Sequence, residues 1–168
     1  MMARYDAVMV NETLIFQFGV VLDQLRETIE MIPADEWVRG DSRRHVPVRQ
    51  AVHIIGPFEA YAKRSAGGHF RWGDRWGHKV GAFGRKIPVE GLPDQHAVIE
   101  YLEEVRAKME HWLGEIPIDH LCKPRHVASG RFHSNLGRIL YVLRHAVLHL
   151  GYLNEELHRR GIGYTEFR

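Results

Sequence analysis

"LRHAVLHLGYLNEELHRRG", residues 143–161, reads as a single helix carrying two histidines, His145 and His149, four positions apart. At 3.6 residues per turn, His149 lies about 40° around the helix from His145 and roughly 6 Å along it, so both imidazoles can reach one ion. Ser134 is a candidate N-cap and Gly161 a stop, which predicts a helix from about Asn135 to Arg160. Its densest apolar stripe runs through Ile139, Leu143, Val147, Leu150 and Leu157. That stripe must be buried against other elements, and it leaves His145 and His149 at the border between core and water. Arg138, Tyr141, Tyr152 and Glu156 fall within roughly 40° of His145.

The partners for that stripe are three further amphipathic segments. "ETLIFQFGVVLDQLRETIEMI" (12–32) sets Leu14, Phe18, Val21, Leu25, Ile29 and Ile32 at helical spacing and ends before Pro33. "PVRQAVHIIGPFEAYAKR" (47–64) has Pro47 in its first turn and a stripe through Val48, Ala51, Ile55, Phe58 and Ala62. Pro57 inside it removes one hydrogen bond and crowds the carbonyl of His53, which predicts a bend there. "PDQHAVIEYLEEVRAKMEHWLG" (93–114) has Asp94 as N-cap, Gly114 as stop, and a stripe through Val98, Tyr101, Leu102, Val105, Met109 and Trp112. No stretch alternates convincingly as a strand, except that "RHVASGRFH" (125–133) suits two short extended pieces about a Ser-Gly turn. The expected fold is all-α, a four-helix bundle in one domain over residues 1–168.

The connection between the second and third helices is long and contains "GGHFRWGDRWGHKVGAFGRK" (67–86). Trp72 and Trp76 argue for an ordered loop, either a lid over a ligand site or a segment pinned to the bundle by its indoles. Arg71, Arg75, Lys79, Arg85 and Lys86 interleave with aromatics in a way that suits single-stranded nucleic acid. A formal net charge of only +2 argues against that partner and against an anionic membrane. No secretory leader and no segment long enough to span a bilayer is expected, so the chain reads as cytoplasmic. One cysteine, Cys122, excludes an intramolecular disulfide and reads as a plain thiol.

Twelve histidines are too many to pass over, because imidazole is the commonest metal ligand. A lone H-x-x-x-H is open to two readings, a metal site or polar residues facing water. The zinc-protease motif is absent, since Ala146 stands where its glutamate belongs. Glu155 and His158 form one E-x-x-H, but a di-iron bundle needs a second such pair and two more glutamates.

"HAVLHLGYLNEELHRRG" resembles the last helix of the DinB/YfiT-like superfamily of small metal-binding four-helix bundles. The shared pattern is a histidine, three residues, a second histidine, a glycine two further on, and an arginine-rich turn closed by glycine. "MIPADEWVRG" (31–40) followed by "VPVRQAVHIIGPFEAY" (46–61) resembles that family's connecting segment and second helix, with His53 and Glu59 matching its histidine and glutamate. The likeness covers about two thirds of the chain and is absent from the tryptophan loop. It implies one divalent transition metal held by His53, His145 and His149 with water completing the shell. Nickel or zinc suits imidazole donors. It also implies open metal positions, a low-molecular-weight thiol cofactor, a small electrophilic substrate, thiol-transferase-type chemistry and a homodimer. Arg138, Tyr141, Tyr152, Glu156, Trp72 and Trp76 are candidates to contact substrate or support the ligands. Tyr152 is a departure, because relatives often have glutamine there. The alternatives are a non-catalytic metal-binding or stress-response module and a metal-dependent hydrolase.

Overall fold

A computed structural model of the chain describes residues 2–42, 44–65, 75–76, 80–81, 83, 87–124 and 133–166, without the side chains of 2–7 and 61–65. The described residues contain no strand. Four long helices account for most of them: α1 (Met2–Met31), α2 (Pro47–Ser65), α3 (Gln95–Glu115) and α5 (Asn135–Arg159). A short α4 (Ile118–Cys122) and a single 3-10 turn (Val89–Gly91) lie in the connections.

The first stripe behaves as its spacing dictates. Leu14, Phe18, Val21, Leu25, Ile29 and Ile32 are all buried, and α1 simply starts earlier than its apolar pattern does. From α2, Val48, Ala51, Ile55 and Phe58 are fully buried, as are Val52 and Ile54 beside them. Ala62 lies outside the described side chains. The helix continues without interruption through Pro57. α3 is capped by Asp94, whose side chain accepts from Ala97 N at 2.8 Å. It buries Val98, Tyr101, Leu102, Val105 and Met109 as expected. Leu113 completes that face, and the bulkier Trp112 packs half-buried at its flank.

α1 packs on α3, α3 on α2, α2 on α5, and α5 on α1, so the four long helices enclose one core. Phe18 and Phe58 meet edge to face at 5.2 Å within it. The expectation that no segment is long enough to span a bilayer is corrected by α1, which over Val8–Met31 passes on length and composition. Its apolarity serves the stripe that it buries against α3 and α5.

α5 also corrects its predicted face. Val147 is 40% exposed, while Val142, Ala146 and Leu153 are buried with Ile139, Leu150 and Leu157. The buried face is rotated by roughly 60° from the apolar stripe, toward the histidines. Large aliphatic residues alone misplace it, because small Ala146 and the buried polar Arg138 and Glu156 belong to it as well. Ser134 caps the start, accepting from Gly137 N at 3.0 Å. At the end Gly161 takes φ 72°, with Gly161 N donating to His158 O and Ile162 N to Leu157 O. This Schellman closure needs a residue free to adopt positive φ. Of the proposed Ser-Gly turn, residues 125–132 lie outside the described set. Pro124 and Ser134 on either side of it form one antiparallel bridge.

Candidate metal centre

His145 and His149 project from α5 on the edge that faces α2, and α2 presents His53 to them. One ligand atom from each of the three rings lies within 4.8 Å of the other two. Ring centroids are 5.0 Å apart for His53 and His145, 4.4 Å for His53 and His149, and 4.5 Å for His145 and His149. All three side chains are half-buried.

Two of the rings are oriented from behind. His53 Nδ1 lies 2.8 Å from the Gly81 carbonyl, and a carbonyl can only accept, so Nδ1 carries the proton and Nε2 keeps its lone pair. One turn earlier on α2, the buried Arg49 donates from Nε to the carbonyl of Val80 at 3.0 Å. Arg49 and His53 thus hold two successive carbonyls of one segment. A Cβ on Gly81 would lie 3.4 Å from the His53 backbone, an ordinary contact, so the segment passes close enough to leave room for a methyl group but not for a branched side chain. His149 Nδ1 faces Gln50 Oε1 at 3.2 Å, and Gln50 Nε2 donates to the Arg44 carbonyl at 2.6 Å. The amide orientation follows from that second bond, so His149 is also protonated on Nδ1. His145 Nδ1 is buried and has no hydrogen-bond partner among the described residues.

Burial holds all three imidazoles neutral. It pushes His145 and His149 down to about 4, with the neighbouring His53 opposing protonation of both. Burial lowers His53 as well, against the Gly81 bond that favours its charged form. Neutral imidazole is the form that binds metal.

A cleft of about 590 Å³ opens beside His53 and His149, lined also by Arg44, His45, Gln50, Phe83, Tyr152, Glu155 and Glu156. Tyr152 is 57% exposed at its mouth, edge-on to His149 at 5.9 Å. Tyr141 stacks on His145 at 6.1 Å. Arg138 is fully buried within the core. Glu156 reaches the cleft wall, but its oxygens are occupied by Arg159 at 2.8 Å and Arg160 at 2.7 Å. Burial opposes its ionisation, and those hydrogen bonds outweigh burial and hold its carboxyl below the ordinary range. Asp41, His45 and Glu156 form a second group of potential ligands. The two arginines on Glu156 disfavour a cation there.

Trp76 packs edge to face on Tyr101 of α3 at 5.1 Å, and Arg75 pairs with Glu104 at 3.1 Å. That part of the loop is pinned to α3 and does not line the cleft. Trp72 lies outside the described residues. Glu59 serves the same region, accepting from Tyr101 Oη at 2.6 Å and Lys108 Nζ at 3.1 Å. Sequence reasoning missed Gln50, Gly81, Phe83 and Arg44. Only Gln50, one turn before His53, carried any local signal.

No protein-family model matches the chain, and no curated protein is significantly similar to it.

Proposed function

We propose that the chain is a DinB/YfiT-like four-helix bundle whose His53, His145 and His149 hold one divalent transition ion, nickel or zinc. The convergence of three neutral imidazoles beside an open cleft carries this reading. The donor set fits: two rings are fixed with Nε2 unprotonated, and the buried Nδ1 of His145 has no other partner among the described residues. Three protein ligands with room beyond them is the layout of a catalytic site. When bound, such an ion acts as a Lewis acid and lowers the pKa of a thiol or water beside it.

The residues divide the remaining work. Gly81 and Gln50 keep His53 and His149 in the tautomer a ligand requires. Tyr152 and Phe83 supply aromatic surface to a small molecule in the cleft. The reaction class is transfer of a low-molecular-weight thiol to a small electrophile, a cytoplasmic chemistry because thiols are kept reduced there. The open cleft favours this over a non-catalytic module. Self-association as a homodimer belongs to the same reading. Leu140, Val147 and Leu148 are exposed on the outer face of α5, and light scattering tests the pairing.

The decisive experiment is elemental analysis of protein purified without a polyhistidine tag, followed by thiol-conjugation and ester-hydrolysis assays. About one transition ion per chain, lost in the H53Q/H145Q/H149Q variant, is expected. Metal-free protein, or a triple variant with unchanged content, overturns the proposal. Ester cleavage without thiol conjugation replaces transferase by hydrolase.

A further inference from the structure

The cleft has a second wall besides the histidines. Arg44 stands on it, in the turn before α2, with an exposed side chain. Its carbonyl is held by Gln50, the glutamine that faces His149, so the turn and the triad are fixed to one side chain. The Arg44 guanidinium lies 6.0 Å from the Phe83 ring centre. Phe83 in turn lies 4.5 Å from His53 and 6.2 Å from His149. The order along the wall is therefore guanidinium, phenyl ring, imidazoles.

The nearby arginines are committed. Arg39, Arg159 and Arg160 each pair with a carboxylate. Among the described residues, no ion pair involves Arg44. Of the two carboxylates on the cleft wall, Glu156 is taken by Arg159 and Arg160, and Glu155 makes no ion pair with Arg44. A guanidinium over an aromatic ring with no carboxylate of its own is a receptor for a planar oxyanion, which it binds through two parallel N–H bonds.

We propose that the cleft binds a small carboxylic acid, its carboxylate gripped by Arg44, its body against Phe83 and its far end directed at His53 and His149. The last element alone rests on the metal-centre reading. One guanidinium matches one carboxylate. Glu155 on the same cleft disfavours a more highly charged phosphate. The positive charge of Arg44 also opposes protonation of His53 and His149, which agrees with its position beside them.

The test is a titration of metal-free, isotope-labelled protein with benzoate, benzamide and phenyl phosphate, read by NMR at the Arg44 Nε–H and the Phe83 ring. Benzoate should shift both signals and bind roughly tenfold tighter than benzamide. Arg44→Gln should lose about that factor and Arg44→Lys part of it, because lysine keeps the charge without the fork. Circular dichroism checks that these exposed substitutions leave the fold intact. The proposal is overturned if benzoate and benzamide bind alike, if R44Q binds benzoate as well as wild type, or if neither reporter moves at about 20 mM benzoate. Tighter binding of phenyl phosphate also overturns it and makes the site one for phosphate. The measurement needs no metal, and it is repeated on the triple-histidine variant. Retained benzoate shifts there, with no metal uptake by wild type, sink the metal centre and leave the anion site standing. Lost benzoate binding in R44Q, with metal content as in wild type, supports the anion site and shows that it is separable from the histidine triad.

Discussion

Acidifying the metal-free protein should destabilise it well before its carboxylates titrate. His145 and His149 sit at about 4 in the folded chain, against 6.5 for the free side chain. The unfolded chain therefore binds more protons than the folded one between about pH 6.5 and 4, and stability must rise with pH across that window. Fully desolvated, each shift corresponds to about 3 kcal/mol at 1.36 kcal/mol per pKa unit. Both rings are only half-buried, and solvent screening reduces each to about 1–2 kcal/mol. Together they amount to about 3 kcal/mol, or a fall in Tm of about 6–12 °C for a chain of this size. Asp41 and Glu156, whose carboxyls are held low, lose their contribution at more acid pH, so the interval above about pH 4.5 isolates the histidines. The assay is urea unfolding with chelator present at several pH values from 7.5 to 4.5, on wild type and on H145Q/H149Q. Wild type should lose stability steeply below pH 6.5 and the double variant much less. Parallel profiles for the two proteins would refute the reasoning, because they would place the acid sensitivity elsewhere.

Three substitutions test the supports around the triad and the core. Gln50→Leu removes the acceptor behind His149 and the donor to the Arg44 carbonyl, and should weaken zinc binding about 10–100-fold in a chelator competition together with a modest fall in Tm. Gly81→Ala should be tolerated, since its Cβ would meet the His53 backbone at ordinary contact distance. Gly81→Val should displace the segment, break the His53 bond, and lower both Tm and metal affinity. Tyr101→Phe removes the hydroxyl that donates to the buried Glu59 carboxylate and should cost about 1–3 kcal/mol in urea unfolding, with metal affinity unchanged.

Much of the helical layout was legible because it is local. Asp94 and Ser134 cap the helices they were assigned, and Gly161 ends α5 with the positive φ a closing glycine supplies. The six-residue stripe of α1 is buried throughout. The errors lie where burial depends on a neighbour. Val147 is as apolar as Leu150, yet it faces out, because the side of α5 that meets α2 carries Ala146 and the arginine-bound Glu156. Trp112 yields the core position to Leu113 for a similar reason, since a leucine fits between helices where an indole packs at the rim.

The candidate site divides along the same line. Four-residue spacing on one helix is enough to bring His145 and His149 together, and any helix would do it. His53 entered on a resemblance, and no periodicity in the chain points to it. The contact between His149 and Gln50 spans 99 residues, and that between His53 and Gly81 spans 28 across a loop with no regular pattern. Arg44 and Phe83 share a cleft only because the turn before α2 and the loop after it reach the same end of the helices. Sequence alone determined the helices, their caps and the histidine pair, because helical hydrogen bonds and side-chain spacing are short-range. Tertiary structure decided the third histidine, the tautomers and the charge facing the cleft, because these depend on which helix faces meet, and packing of the whole chain sets that.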